Sequence, residues 1–146
     1  PVTKRILLAI AVLTRNDGFA YSNVDQISEF ASCDRASGYA LIRRLKEQGI
    51  PTFAISRGSQ GAMFYLEGKL YQCPGLKIEL KSSVGAGDAL VAAFAYAWEQ
   101  KLSVEESIRL AVATSAGAVS TVGTKPPSKE LVRELTMQVQ IRTIEI

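Results

Sequence analysis

Histidine is absent from the 146-residue chain, and cysteine is scarce. The missing histidine excludes histidine as a metal ligand or general base, which leaves carboxylates as the acid–base groups. Cys33 and Cys73 stand far apart in the sequence, and neither belongs to a CxxC pair. Two free thiols in a reducing compartment are therefore expected in preference to a disulfide.

Long apolar runs and a strong charge excess are missing as well. The longest apolar run, residues 6–13, is too short to span a bilayer and has no signal-peptide cleavage context. We therefore expect a cytoplasmic protein that binds no membrane. Lys and Arg number 17 against 14 Asp and Glu, a scattered excess of +3 that gives no reason to expect nucleic acid as a partner.

The patterns that are present predict a single α/β domain over residues 1–146. Apolar residues make up 47% of the chain and charged residues 21%, which suffices for one soluble domain with a core. Strand patterns occupy residues 6–13, 50–56, 62–66 and 70–73, with a hairpin turn at 67–69. Helical patterns begin near residues 23 and 34 and continue at 86–99, 103–121 and 128–137, and residues 139–146 predict an edge strand or tail. Elements of both kinds alternate in the first half, which predicts a sheet with helices packed on it.

One stretch, Gly85, Ala86, Gly87 and Asp88, stands directly before an apolar helical pattern. Backbone N–H groups at a helix start lack intrahelical partners and lie at the positive end of the helix dipole. The two glycines remove the Cβ atoms that would keep an anion away. Asp88 is interpreted as a general base that takes a proton from a substrate hydroxyl. The alternative is an ordinary turn in which Asp88 is a first-turn acid stabilised by the dipole.

With its serine-valine lead-in and the small apolar residues that follow, this stretch resembles the C-terminal signature of the PfkB (ribokinase-like) carbohydrate kinases. The lead-in is more similar to the 1-phosphofructokinase and tagatose-6-phosphate kinase branch. The resemblance implies that Gly85, Ala86 and Gly87 form an anion hole and that Asp88 deprotonates the acceptor hydroxyl. It implies transfer from ATP, with Mg²⁺, to a sugar or sugar phosphate. The implied fold is the C-terminal half of a ribokinase-like (Rossmann-like) α/β/α sandwich.

A second glycine loop resembles part of the ATP site of the same family. Ser56, Gly58 and Gly61 match a Ser/Thr-x-Gly-x-x-Gly pattern that follows a strand. The alternative is a plain strand–turn–strand connection. Neighbouring Arg57 is either a phosphate contact or a solvated loop residue.

The small-residue helix at residues 111–121 and the loop after it border the adenine pocket in the family. The resemblance therefore makes Ser115, Ala118 and Gly123 candidate wall residues of that pocket. The alternative is tight helix–helix packing, with Gly123 serving a C-terminal turn in either case.

Asn23 matches the Asn-x-x-Glu motif that the family associates with magnesium and the nucleotide phosphates, but Gln26 stands at the glutamate position. A neutral amide lacks the charge that a hard cation prefers, so weak magnesium handling is expected.

Family members are about twice as long, and the resemblance covers roughly residues 20–146. Nothing in residues 1–20 supplies the sugar-binding half and lid of the family. We expect the ATP-binding, catalytic half of a larger kinase, with a missing N-terminal half or a second copy in a homodimer to complete it. The alternatives are a non-catalytic nucleotide-binding or assembly module that keeps the kinase fold, and a plain α/β interaction domain.

Overall fold

The computed structural model describes residues 52–56 and 58–144, together with the single positions Arg43 and Glu47. Arg43 and Glu47 are helical and exposed, in agreement with the helix predicted to begin near residue 34. The strand predicted at residues 6–13 and the helix predicted near residue 23 lie outside the described residues.

Four strands of the described chain form one antiparallel sheet in the order β1-β2-β3-β4. They are β1 Phe53–Ser56, β2 Ala62–Leu66, β3 Lys69–Cys73 and β4 Arg142–Ile144. Glu67 and Gly68 connect β2 to β3 with φ of 48° and 81°. Positive φ at both central residues is the requirement of a type I′ hairpin turn, whose twist matches that of the flanking strands. The hairpin predicted here is confirmed. Among the described strands β4 pairs only with β3 and so lies at an edge of this sheet.

Three helices separate the hairpin from β4: α1 Ala86–Glu99, α2 Val104–Val119 and α3 Lys129–Gln138. Their bounds agree with the predicted ones to within two residues. Helix α2 begins with a complete capping box at Ser103, and α3 begins at Ser128, whose hydroxyl accepts a bond from the N–H of Leu131. Helix α2 contacts both α1 and α3.

Buried apolar side chains lie on both faces of the sheet. On one face, strand residues such as Phe64 and Cys73 pack with Ile108 of α2 and Leu135 of α3. The other face carries a separate cluster. Its members are Ile55, Met63, Tyr65 and Leu70. A sheet that is apolar on both faces is typical of the middle layer of a three-layer α/β fold, and the described helices supply one outer layer.

Candidate functional site

The segment that leads into the Gly85–Asp88 turn is fixed to the C-terminal end of α2. Residues 74–80 form no helix or strand. The N–H groups of Lys81 and Ser82 then both donate to the carbonyl oxygen of Val119, at 2.8 and 3.1 Å. The Ser82 hydroxyl accepts a bond from the N–H of Val84 at 3.3 Å, which bends the chain locally. The turn is thus attached to α2 by the segment before it and continues directly into α1 after it.

Gly85 occupies the N-cap position of α1 with φ 88° and ψ −3°, and no side chain caps the helix there. This left-handed conformation is open to glycine at little cost and strained for residues with a Cβ. A Cβ built on Gly85 would meet no atom of the described residues within 4 Å, so the need for glycine is conformational.

The N–H groups behind this glycine are available to a ligand. The first hydrogen bond of the helix runs from the N–H of Ala89 to the carbonyl of Gly85, at 2.9 Å. The N–H groups of Ala86, Gly87 and Asp88 have no acceptor among residues 52–56 and 58–144. A Cβ on exposed Gly87 would meet no atom of residues 52–56 and 58–144 within 4 Å. The turn therefore offers unpaired donors, the positive end of the helix dipole and room for an anion, which fits a phosphoryl group.

Asp88 lies in the first turn of α1, next to these donors, and its side chain is exposed. The described part of the chain supplies it with no hydrogen bond or ion pair. A carboxylate without a partner, one residue from an anion site, can accept a proton from an acceptor hydroxyl.

The loop that contains Ser56, Gly58 and Gly61 packs against the end of β3. Residues Gly58–Gln60 form one turn of 3-10 helix, and Gly61 has φ 93°. A Cβ on Gly61 would come within 1.8 Å of the Cys73 carbonyl oxygen, so this glycine is required by backbone packing. Ser56 and Gly58 are exposed, and a Cβ on Gly58 would meet nothing.

The partner of Gly61 in this packing, Gly75, was missed by sequence reasoning. A Cβ on Gly75 would come within 2.0 Å of the Ser59 carbonyl oxygen. The Pro-Gly pair at this position gives only the signal of a chain break. Nothing in the local sequence shows that this break and the glycine loop touch.

The small residues of α2 have a packing role. A Cβ on Gly117 would lie 2.7 Å from the Pro127 side chain, so glycine lets the loop before α3 approach α2. Ala118 is buried and Ser115 half-buried, whereas Gly123 is exposed in a turn with φ 71°. This favours the packing alternative for the middle of α2. The C-terminal end of α2, next to Ala118, is joined through Val119 to the segment that leads into the turn at residues 85–88, which we call the anion turn.

The described residues contain no group of three His, Cys, Asp or Glu side chains that could hold a metal ion. The predicted magnesium residue Asn23, with Gln26 and Arg57, lies outside them. None of the helices in this part of the chain has the length and apolar character needed to cross a membrane.

The profile of the pfkB family carbohydrate kinases matches residues 22–131, three quarters of the chain, and includes both glycine segments. The chain belongs to this family. It is 36% identical over 107 residues to the 1-phosphofructokinase of Haemophilus influenzae, covering 73% of this chain and 34% of that protein. It is 29% identical over 119 residues to the 1-phosphofructokinase of Vibrio cholerae, covering 82% of this chain and 36% of that protein.

Solved structures of the family share the fold. Escherichia coli phosphofructokinase-2 in complex with substrates and products superposes with a TM-score of 0.68 at 20% identity, over 93% of this chain and 45% of that chain. Arabidopsis thaliana ribokinase complexed with ribose and ATP superposes with a TM-score of 0.66 at 21% identity, over 93% of this chain and 53% of that one. The predicted ribokinase-like α/β fold is confirmed. The chain spans about a third of the length of the curated relatives and about half of the solved chains.

Proposed function

We propose that the chain is the ATP-binding, catalytic half of a kinase that phosphorylates a hydroxyl of a sugar or sugar phosphate. The observation that carries the proposal is the turn at residues 85–88. There, three N–H groups without a described partner and an exposed carboxylate share one helix end, in a chain of the pfkB family. The names of the relatives, 1-phosphofructokinases, favour a sugar phosphate as the acceptor.

In the proposed mechanism, Asp88 accepts the proton of the acceptor hydroxyl while the hydroxyl oxygen attacks the transferring phosphoryl group. The N–H groups of Ala86, Gly87 and Asp88 donate to the oxygens of that group, where charge develops in the transition state. When bound, ATP would supply the phosphoryl group, and ADP would leave as the bond between the γ-phosphorus and the β,γ-bridging oxygen breaks. Because the donors are backbone groups fixed by the helix, they need no reorganisation during the reaction.

The remaining nucleotide contacts are assigned by the family pattern. We propose Ser56, Gly58 and Gly61 beside the nucleotide, although backbone packing alone already accounts for glycine at position 61. A second set of residues, at the end of α2 and in the loop after it, would border the adenine base of the nucleotide. It consists of Ser115, Ala118 and Gly123. The family generally uses Mg²⁺ with ATP, and Asn23 is the residue proposed for it.

The test is Asp88→Asn in a complete enzyme, because phosphoryl transfer depends on positioning both substrates. A hybrid in which this chain replaces the matched segment of the Haemophilus influenzae relative supplies the rest of the polypeptide. We expect the variant to lose about 10²- to 10⁴-fold in kcat, the usual contribution of a general base, while ATP binding persists. Glu105→Gln, an exposed carboxylate in the first turn of α2, is the matched control and should keep kcat. Near-normal turnover of the asparagine variant would overturn the assignment.

A second candidate function is a nucleotide-binding or assembly module without kinase activity. Gln26 in place of the family's glutamate favours it, since the neutral amide lacks the negative charge that the glutamate would offer to Mg²⁺. A hybrid that binds ATP but phosphorylates no sugar phosphate, and gains activity with Gln26→Glu, would support this candidate over the first.

A further inference from the structure

Helix α1 is apolar on both of its sides. On the inward side Ala93 and Ala97 are buried, and the ring of Phe94 lies 5.5 Å from that of Phe64 in β2. The opposite side, which we call the outward face, is exposed to solvent. Its residues are Asp88, Ala92, Ala95, Tyr96, Trp98 and Glu99. At 3.6 residues per turn, Asp88, Ala92, Ala95 and Glu99 follow one line along the helix. Tyr96 lies on one flank of this line and Trp98 on the other.

The outward face is unlike the solvent side of an ordinary surface helix. Such helices carry polar and charged residues towards water, and a helix that is apolar all round belongs to the interior of a larger protein. Charge on the outward face is confined to its two ends, Asp88 and Glu99, and α1 contains no Lys or Arg. Between the ends, Tyr96 is 56% exposed and Trp98 87% exposed. Tryptophan and tyrosine side chains of this kind are typical of the core of an interface.

The length of the relatives indicates what covers this face. The chain spans 34–36% of two 1-phosphofructokinases and 45% of a solved phosphofructokinase-2 chain. These three proteins therefore carry a further length of polypeptide that exceeds the matched part. A helix that is apolar all round is expected where that additional polypeptide packs.

A second copy of this chain suits the outward face less well. Two copies related by a two-fold axis would present the same face to each other. Antiparallel α1 helices would then place Asp88 of one copy near Glu99 of the other, and the face has no cation to pair with either. Asp88 lies at the end of the outward face that adjoins the anion turn. The polypeptide that covers this face would therefore lie beside the position of the acceptor hydroxyl.

We propose that the outward face of α1 is the docking surface for the part of the kinase polypeptide that this chain does not contain. The face is then an internal interface of the complete enzyme, with Tyr96 and Trp98 as its buried anchors. This inference rests on family membership and on the exposed face, and it holds whether or not Asp88 is the catalytic base.

The test compares hydroxyl-radical oxidation of side chains, measured by mass spectrometry, in the 146-residue chain and in the Haemophilus influenzae hybrid. Trp98 is the sole tryptophan of the chain and gives an unambiguous product. We expect its oxidation rate to fall about fivefold or more in the hybrid, because the core of an interface excludes water. Met137, which is 81% exposed on α3, is the internal control and should change little.

Equal oxidation of Trp98 in the free chain and in a folded hybrid would overturn the proposal. Protection of Trp98 in the free chain that grows with protein concentration would also overturn it, by assigning the face to a second copy. No activity is measured, so these results are independent of the test of Asp88.

A second measurement needs no hybrid. A cysteine is placed in the intact Haemophilus influenzae enzyme at the position aligned with Ala95, and its reaction with a maleimide is followed. Slow labelling that becomes fast on denaturation is expected. Fast labelling of the native enzyme would contradict the proposal, because it would show that the outward face is exposed in a complete kinase.

Discussion

Gly85 and Gly87 stand two residues apart in the anion turn and serve different purposes. Gly85 has a positive φ that a residue with a Cβ adopts only under strain. Gly87 lies within the helix, where glycine is a poor helix former, and a Cβ on it would enter open space. Glycine at position 87 therefore lowers helix stability without any packing reason, which is consistent with a role in admitting a ligand.

This difference gives a prediction for the two alanine variants. Gly85→Ala should lower the free energy of unfolding by about 1 kcal/mol, the cost of placing a Cβ in the left-handed region. Gly87→Ala should leave it unchanged or raise it by up to about 1 kcal/mol, the gain in helix propensity. Urea unfolding followed by circular dichroism measures both. Equal losses in the two variants would contradict the assigned roles.

Cys73 is the buried thiol at the end of β3, and its environment predicts inertness. Burial raises the pKa of the Cys73 thiol from 9.0 to about 11, although the Arg109 guanidinium nearby partly offsets this. Arg109 is itself held in place by a hydrogen bond that it donates to the Val139 carbonyl. Because the thiolate is the reactive form, Cys73 should resist alkylation in the folded protein at neutral pH.

The raised pKa of Cys73 also predicts a pH dependence of stability. Well below pH 9 the thiol is protonated in both the folded and the unfolded chain, so it has almost no effect on the pH dependence of stability. Between about pH 9 and 11 only the unfolded chain loses the proton, and the free energy of unfolding falls as the pH rises. Urea unfolding at pH 8 and pH 10.5 should show a larger loss in the wild type than in Cys73→Ser, which removes this titration. The same loss in the wild type and in Cys73→Ser would refute the assigned role of the Cys73 thiol.

At the scale of elements, the start of α2 is stabilised by a reciprocal pair of hydrogen bonds. The Ser103 hydroxyl accepts from the N–H of Glu106 at 3.3 Å, and the Glu106 carboxylate accepts from the N–H of Ser103 at 2.9 Å. The hydrogen bond from the Ser103 N–H lowers the pKa of Glu106. This bond therefore stabilises the folded chain above the ordinary pKa of glutamate, and the stabilisation is lost in acid. The box orients the helix whose far end holds the lead-in of the anion turn.

Removal of the cap should therefore be measurable. Ser103→Ala should lower the free energy of unfolding by about 1 kcal/mol, the usual cost of losing an N-cap. Ser103→Asp keeps an acceptor at the cap and should lose much less. Thermal unfolding of the two variants at neutral pH makes the comparison, and an alanine variant as stable as the wild type would argue against the cap.

The elements that the sequence predicts well are those with local signals. Ser103 and Glu106 are three residues apart, and Glu67 and Gly68 lie between two strand patterns, so each signal is complete within a few residues. The contacts that sequence reasoning missed join distant segments. The close approach of Gly61 to Cys73 depends on the whole path of β2 and β3, and no short pattern records it.

At the scale of the whole molecule, the sequence indicated the family and an incomplete span, but not the outward face of α1. The Gly-Ala-Gly-Asp signature is local and specific, so the family could be recognised from it and is confirmed by the match over residues 22–131. Which side of α1 faces the sheet is decided by packing with α2 and by the contact of Phe94 with Phe64 of β2, and only the structure shows that aromatic side chains remain on the other side. The roles of the site residues stay predictions.

The central claim is that the turn at residues 85–88 binds the phosphates of a nucleotide. Calorimetric titration of the chain with ATP and Mg²⁺, repeated with Gly87→Val, tests it most directly. A valine side chain would occupy the open space in front of the N–H groups, and Ala92→Val, an exposed position farther along α1, is the matched control. We predict binding to the wild type and the control and none to Gly87→Val. Equal affinity of all three chains, or no binding to the wild type, would contradict the claim.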